Sequence, residues 1–122
     1  MKYVILMQVD PSVLAALSAE QQQAIGSGHQ DFIAEITASG EFLSTNALGD
    51  PSQSTVIRGT GGKPQVTEGP FAETKEFMGG YYLVDVESKE RAVELAQRIP
   101  DAGIDGLALE VRPVMFSAGA DL

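Results

Sequence analysis

The fold of this chain is constrained most tightly by one stretch, Glu68-Gly-Pro-Phe-Ala-Glu-Thr-Lys-Glu-Phe-Met-Gly-Gly-Tyr81. Gly69-Pro70 turns the backbone, because glycine accepts φ > 0 and proline fixes its own φ while pushing the preceding residue out of the α region. Glu73, Thr74, Lys75 and Glu76 follow without a break. Gly79-Gly80 then permits a second sharp bend or a close backbone approach. Directly after it, Tyr81-Tyr-Leu-Val-Asp-Val86 has the aromatic and β-branched composition of a strand. A charged loop, hinged at both ends and feeding a buried strand, either shapes a site or forms part of an assembly interface.

The other elements order themselves around that stretch. Lys2–Val9 is nearly all apolar, the pattern of a central strand covered on both faces, and Asp10-Pro11-Ser12 closes it. Residues 11–19 fit either one helical turn or a packed loop. Ser18-Ala-Glu-Gln21 is a capping box, in which serine and glutamine each satisfy an otherwise orphaned backbone donor. It opens a helix expected to run to about Ser39, with Ile25, His29, Phe32, Ile33 and Ile36 on one face and Gly40 as its terminator. Gly26 and Gly28 weaken that helix by about 1 kcal/mol each relative to alanine, and they leave room for another segment to come close. Glu41–Leu48 and Ser54–Arg58 read as strands, Gly59–Pro64 as a hairpin loop and Gln65–Thr67 as a short returning strand. Ser88-Lys-Glu-Arg91 starts a second helix that Pro100 stops. Asp101–Gly106 reads as loop and Leu107–Arg112 as the last strand.

This order predicts one α+β domain over residues 1–122, a ferredoxin-like β-α-β-β-α-β pattern with an inserted hairpin, and residues 116–122 as a loose tail. Two helices cover one sheet face only. The apolar face left bare predicts a homodimer, paired across a two-fold axis.

Glu68-Gly-Pro-Phe-Ala-Glu-Thr-Lys-Glu with Gly79-Gly-Tyr81 resembles the motif of the YCII-related "DGPF" family of small bacterial proteins, with Glu68 where the family has aspartate. The resemblance runs from Met1-Lys-Tyr-Val-Ile-Leu6 through His29 to Glu110-Val-Arg-Pro-Val-Met115. It implies a dimeric α/β barrel with a ligand cleft between sheet and loops. It assigns no reaction, since members mostly lack an assigned activity. Relatives carry a histidine at this place in the first helix, and in the wider family it is proposed to pair with an aspartate as a catalytic dyad. Dehydrochlorinase-type activity has been attached to YCII relatives, which makes a lyase-like reaction conceivable. Association of some members with extracytoplasmic-function sigma factors implies the alternative, a non-catalytic binding or regulatory module acting through protein contacts.

Composition removes several function classes. Seventeen acids against eight bases give a net charge of −9, and the basic residues are scattered, so phosphate-driven binding of DNA or RNA is not expected. No apolar run approaches the ~20 residues of a membrane helix, and the first residues lack a signal-peptide pattern, so a cytoplasmic protein without membrane contact is expected. There is no cysteine and one histidine, which excludes thiolate chemistry and leaves no plausible metal site. Gly59-Thr-Gly-Gly-Lys63 lacks the spacing and context of a phosphate loop.

His29 is the natural near-neutral acid or base of this chain. A carboxylate on one ring nitrogen would raise the basicity of the imidazole and leave the other nitrogen for proton transfer. Asp10 and Glu73 are the partners expected, with Asp31, Glu68 and Glu76 also open. Glu68, Phe71, Lys75, Glu76, Tyr81 and Arg112 are expected to line a ligand site. Tyr81 and Tyr82 point to opposite faces of their strand, one into the core and the other into the cleft. The expected function is a cofactor-free proton transfer, of isomerase or lyase type, on a small polar or aromatic molecule.

Overall fold

Alternation along β1 (Lys2–Val9) decides which way the sheet faces. Tyr3, Ile5 and Met7 are buried, while Val4, Leu6 and Gln8 between them lie half-buried on the other side. The computed structural model describes residues 1–72 and 75–119. After β1 come α1 (Pro11–Ala15), α2 (Ala19–Ala38), β2 (Phe42–Ala47), β3 (Thr55–Thr60), β4 (Lys63–Glu68), β5 (Phe77–Asp85), α3 (Lys89–Gln97) and β6 (Ala108–Pro113). Short 3₁₀ turns at Pro51–Gln53 and Pro100–Gly103 complete the chain. The result is a mixed α+β domain.

The main sheet has strand order β2-β5-β1-β6 with antiparallel neighbours throughout. Ile5 stands opposite Tyr82 on β5 and Val111 on β6, so these residues share the face beneath the helices. Onto it pack Phe32 and Ile36 of α2, and Ala92, Leu95 and Ala96 of α3. Fully burying a side chain such as Ile36 or Leu95 contributes about 1.5–3 kcal/mol, so this layer contact holds the domain together. Among the described residues no helix covers the face carrying Val4, Leu6 and Leu83.

Local chemistry sets the element ends. Ser18 Oγ accepts from Gln21 N at 3.1 Å while Gln21 Oε1 accepts from Ser18 N at 2.8 Å, closing the capping box. At the other end of α2, Gly40 takes φ +79°, and Glu41 N reaches Ile36 O at 2.9 Å, a glycine-terminated C-cap. Residues 11–15 are helical because Asp10 caps them and Pro11 occupies the first turn, where its missing N–H is not needed.

Two expectations shift. The loop expected at Gly59–Pro64 contracts to Gly61-Gly62, whose φ values of +60° and +79° make the tight turn a two-residue hairpin needs. The hairpin is therefore longer, and it stands as its own two-stranded sheet. Of the two readings of Gly79-Gly80, the close backbone approach holds and the bend does not, since the pair lies inside β5. Gly79 is the extra residue of a bulge opposite Met7 and Gln8, and Gly80 passes close to β2.

An ion network clamps α3 to the end of α2. Arg91 donates to Glu41 through Nε at 2.8 Å and Nη2 at 2.9 Å, and to Glu94 through Nη1 at 2.8 Å, while Arg98 bridges Glu94 and Glu35. The Arg91 guanidinium holds the Glu41 carboxyl below its usual 4.5, with a further bond from Ser39. A carboxyl depressed by folding stabilises the protein above its unfolded pKa, and that contribution disappears as pH falls through the folded value. Glu41→Gln is therefore expected to lower the melting temperature at pH 7 and to show a smaller deficit at a pH below the usual glutamate value. Melts at the two pH values check this, and an equal deficit at both would refute it.

Candidate functional site

Three segments far apart in sequence meet at His29. The capped helix α2 presents His29 from its third turn, towards the sheet. Tyr82 of β5 meets the imidazole from below, its hydroxyl 2.7 Å from Nδ1. Asp101, in the Pro100–Gly103 turn, takes the other nitrogen, with Oδ1 2.9 Å from Nε2. Asp101 is itself buried, and its turn is fixed by Ile99 behind it, which is 1% exposed.

Gly28 makes this convergence possible. A Cβ at that position would lie 2.6 Å from Cγ of Pro100, so only glycine lets the turn press against the helix one residue from His29. The weak helical residue noted in the sequence therefore has a packing function. Gly26 has nothing within 4 Å of its would-be Cβ, and nothing in the structure explains it.

Tyr82 is held firmly. Phe32 packs edge-to-face on it at 5.1 Å between centroids, and its ring lies within 7° of parallel to the imidazole. Burial, and then the negative charge of Asp101, push its phenol up to about 12. The three groups open on a cavity of ≈ 360 Å³, walled by Met7, Val9, Leu14, Ile25 and Ile33, with Thr45 and Asn46 from β2. Among the described residues no lysine or arginine lines it. A small apolar chamber with a phenol, an imidazole and a carboxylate in series suits moving a proton on a neutral molecule.

The residues expected from the sequence are dispersed. Asp10 caps α1, its Oδ1 accepting from Ser12 N at 2.9 Å and Ser12 Oγ at 2.6 Å, and these bonds hold its carboxyl below the usual 3.8. Lys75 is near enough for its charge to act on Asp10. Glu68 accepts from Thr55 Oγ1 at 3.1 Å across the hairpin. Asp31 lies on α2, exposed to solvent. Glu73 lies outside the described residues. Tyr81 faces away from His29, its hydroxyl accepting from Asn46 Nδ2 at 2.8 Å. Arg112 is exposed on β6 opposite Val4.

Phe71 and Glu76 come together elsewhere, in an open cleft of ≈ 800 Å³ with Pro11, Leu48, Pro51 and Phe77. Phe71 is fixed there by Arg58, whose guanidinium lies 4.3 Å from the ring centroid and donates to the Phe71 carbonyl at 2.9 Å. This cleft is larger, but the chamber at His29, where an imidazole is hydrogen-bonded to both a phenol and a carboxylate, is the better candidate.

Asp101 was not expected from the sequence, and Tyr81 was expected at the ligand site where the structure places Tyr82. Proline followed by an acid, right after an apolar helix end, marks a tight turn held against the core, and that signal was available in Ile99-Pro-Asp101. No helix of the described residues is long and apolar enough to cross a membrane, and no group of three or more of them could hold a metal ion.

Comparison with known proteins gives the lineage. A protein of Rhizobium meliloti (strain 1021), itself uncharacterised, is 30% identical over 122 residues, covering 100% of this chain and 98% of that protein. The family model for the YCII-related domain matches residues 1–116, which takes in β1, His29, Tyr82, Asp101 and β6. With the match extending over every element of the fold, the chain belongs to the YCII-related domain family.

Proposed function

We propose that this protein catalyses a cofactor-free proton transfer, of isomerase or lyase type, on a small neutral molecule bound beside His29. The observation that carries this reading is the hydrogen-bonded series Tyr82–His29–Asp101 at the wall of an apolar cavity. Asp101 orients the imidazole and stabilises it when it gains a proton. Without a cationic side chain in the lining, an anionic ligand would meet only the field of Asp101, which selects uncharged compounds.

The same proposal includes the ferredoxin-like arrangement and the DGPF subgroup, supported by the strand order β2-β5-β1-β6 and by Gly69-Pro70-Phe71. It also includes a cytoplasmic homodimer. A two-stranded hairpin is marginal alone in water, and here its cross-strand pair Ile57 and Val66 is 67% and 63% exposed. A second copy covering the hairpin and the open sheet face would bury both.

A thermal-shift screen of small metabolites tests the ligand. A compound at a hundred times its Kd is expected to add about 2.7 kcal/mol, or roughly 10 °C in Tm. Hits are expected to be uncharged and to lose their shift in His29→Ala. Hits that are mostly carboxylates, and that bind the variant equally well, would sink the reading.

A further inference from the structure

Both nitrogens of the His29 imidazole are occupied, Nε2 by Asp101 at 2.9 Å and Nδ1 by the Tyr82 hydroxyl at 2.7 Å. A carboxylate only accepts, so Nε2 carries the hydrogen of the neutral ring, and Nδ1 offers its lone pair to the Tyr82 O–H. A molecule in the cavity therefore meets no unoccupied imidazole nitrogen. Nor can Tyr82 swing aside to uncover one. It is 1% exposed, packs against Phe32, and sits on a strand paired on both sides.

Resting on the acid–base reading above, we propose that Tyr82 is the catalytic residue that meets the substrate's proton, with His29 acting one bond behind it. The phenol oxygen takes the substrate proton while its own hydroxyl proton passes to Nδ1. The substrate–H bond and the old Tyr82 O–H bond break, and a new Tyr82 O–H bond and an Nδ1–H bond form. The electron pair stays on the substrate, and the positive charge rests on an imidazolium facing Asp101. A phenol raised to about 12 is a poor base by stepwise ionisation, so the two transfers proceed together. Running the relay backwards returns the proton to the product.

The test uses 5-nitrobenzisoxazole, a small neutral compound that opens to a coloured phenolate once a base removes its acidic C–H. The wild type is expected to open it faster than His29→Ala, and Tyr82→Phe is expected to fall to the level of His29→Ala. If Tyr82→Phe is as fast as the wild type or faster, His29 is the direct base and the relay is overturned while the acid–base reading stands. If the wild type is no faster than His29→Ala, the acid–base reading fails and takes the relay with it.

A second readout needs no turnover. The chain has one histidine, so the ultraviolet absorbance of the N-carbethoxyimidazole formed with diethyl pyrocarbonate reports on His29 alone. Removing the hydroxyl that covers Nδ1 is expected to speed acylation about fivefold, the effect of losing one neutral hydrogen bond; equal rates would overturn the proposal. In the unaltered protein, ¹⁵N shifts of the single imidazole are expected to show a protonated Nε2 and a lone pair on Nδ1, and the opposite tautomer would overturn it as well.

Discussion

A Gly28→Ala variant is expected to melt close to the wild type and yet to lose about a hundredfold of any His29-dependent rate. Two effects on stability oppose each other. Alanine in a helix interior is favoured over glycine by about 1 kcal/mol. Against this, the new methyl would lie 2.6 Å from Pro100 Cγ, an overpacking worth about 1–3 kcal/mol if nothing moves. The Pro100–Gly103 turn is short and its Ala102 and Gly103 are exposed, so although Ile99 anchors its start, a shift of about 1 Å at Pro100 and Asp101 relieves most of the clash. Asp101 moves with its neighbour. Its 2.9 Å bond to His29 then stretches past hydrogen-bonding range, and the imidazole loses the group that orients it. Gly26→Ala is the control, because its methyl meets nothing and should only stabilise the helix. Melting curves and the 5-nitrobenzisoxazole rate of both variants decide the matter. Wild-type rates in Gly28→Ala would show that the turn does not depend on the missing side chain.

Gly80→Ala is expected to damage the fold itself, by about 3 kcal/mol or some 12 °C in Tm. A Cβ there would sit 2.7 Å from the backbone oxygen of Asn46 and 3.0 Å from Met7 Cε. The methionine end can move. The Asn46 carbonyl belongs to β2, beside the pairing of Ala47 with Gly80, and cannot retreat without opening the ladder. Lower chain entropy in the unfolded state returns only about 0.5–1 kcal/mol, so the clash wins. Calorimetry on the purified variant measures it, and a Tm within about 2 °C of the wild type would mean that the sheet yields more easily than its pairing suggests.

Much of the fold was legible because local chemistry and periodicity agreed. Ser18 and Gln21 announced α2, and both capping bonds form. Ser88 did the same for α3, its side chain accepting from Arg91 N. Strand interiors were harder. The glycine pair before Tyr81 reads in isolation as a bend or a close approach, because nothing local reveals that β1 and β2 flank it and turn its small size into a packing requirement.

The site was half legible. His29 stood out as the single histidine on an apolar helix face, but its partners are set by tertiary contact. Tyr82 and Asp101 lie 53 and 72 residues from His29, and neither belongs to the acidic loop that drew attention. Tyr82 is both core and site, which a choice between the two could not express. Asp10, with its proline neighbour, satisfied a helix end instead, as short acids beside turns commonly do.

The aspartate bonded to the histidine follows, across Pro100, on Ile99, a residue sunk in the interior with Leu95 and Ala96. Drift in that greasy layer would thus shift Asp101 against His29 without touching a polar atom. In this chain the tightness of that interior and the reach of Asp101 to His29 rest on the same few positions.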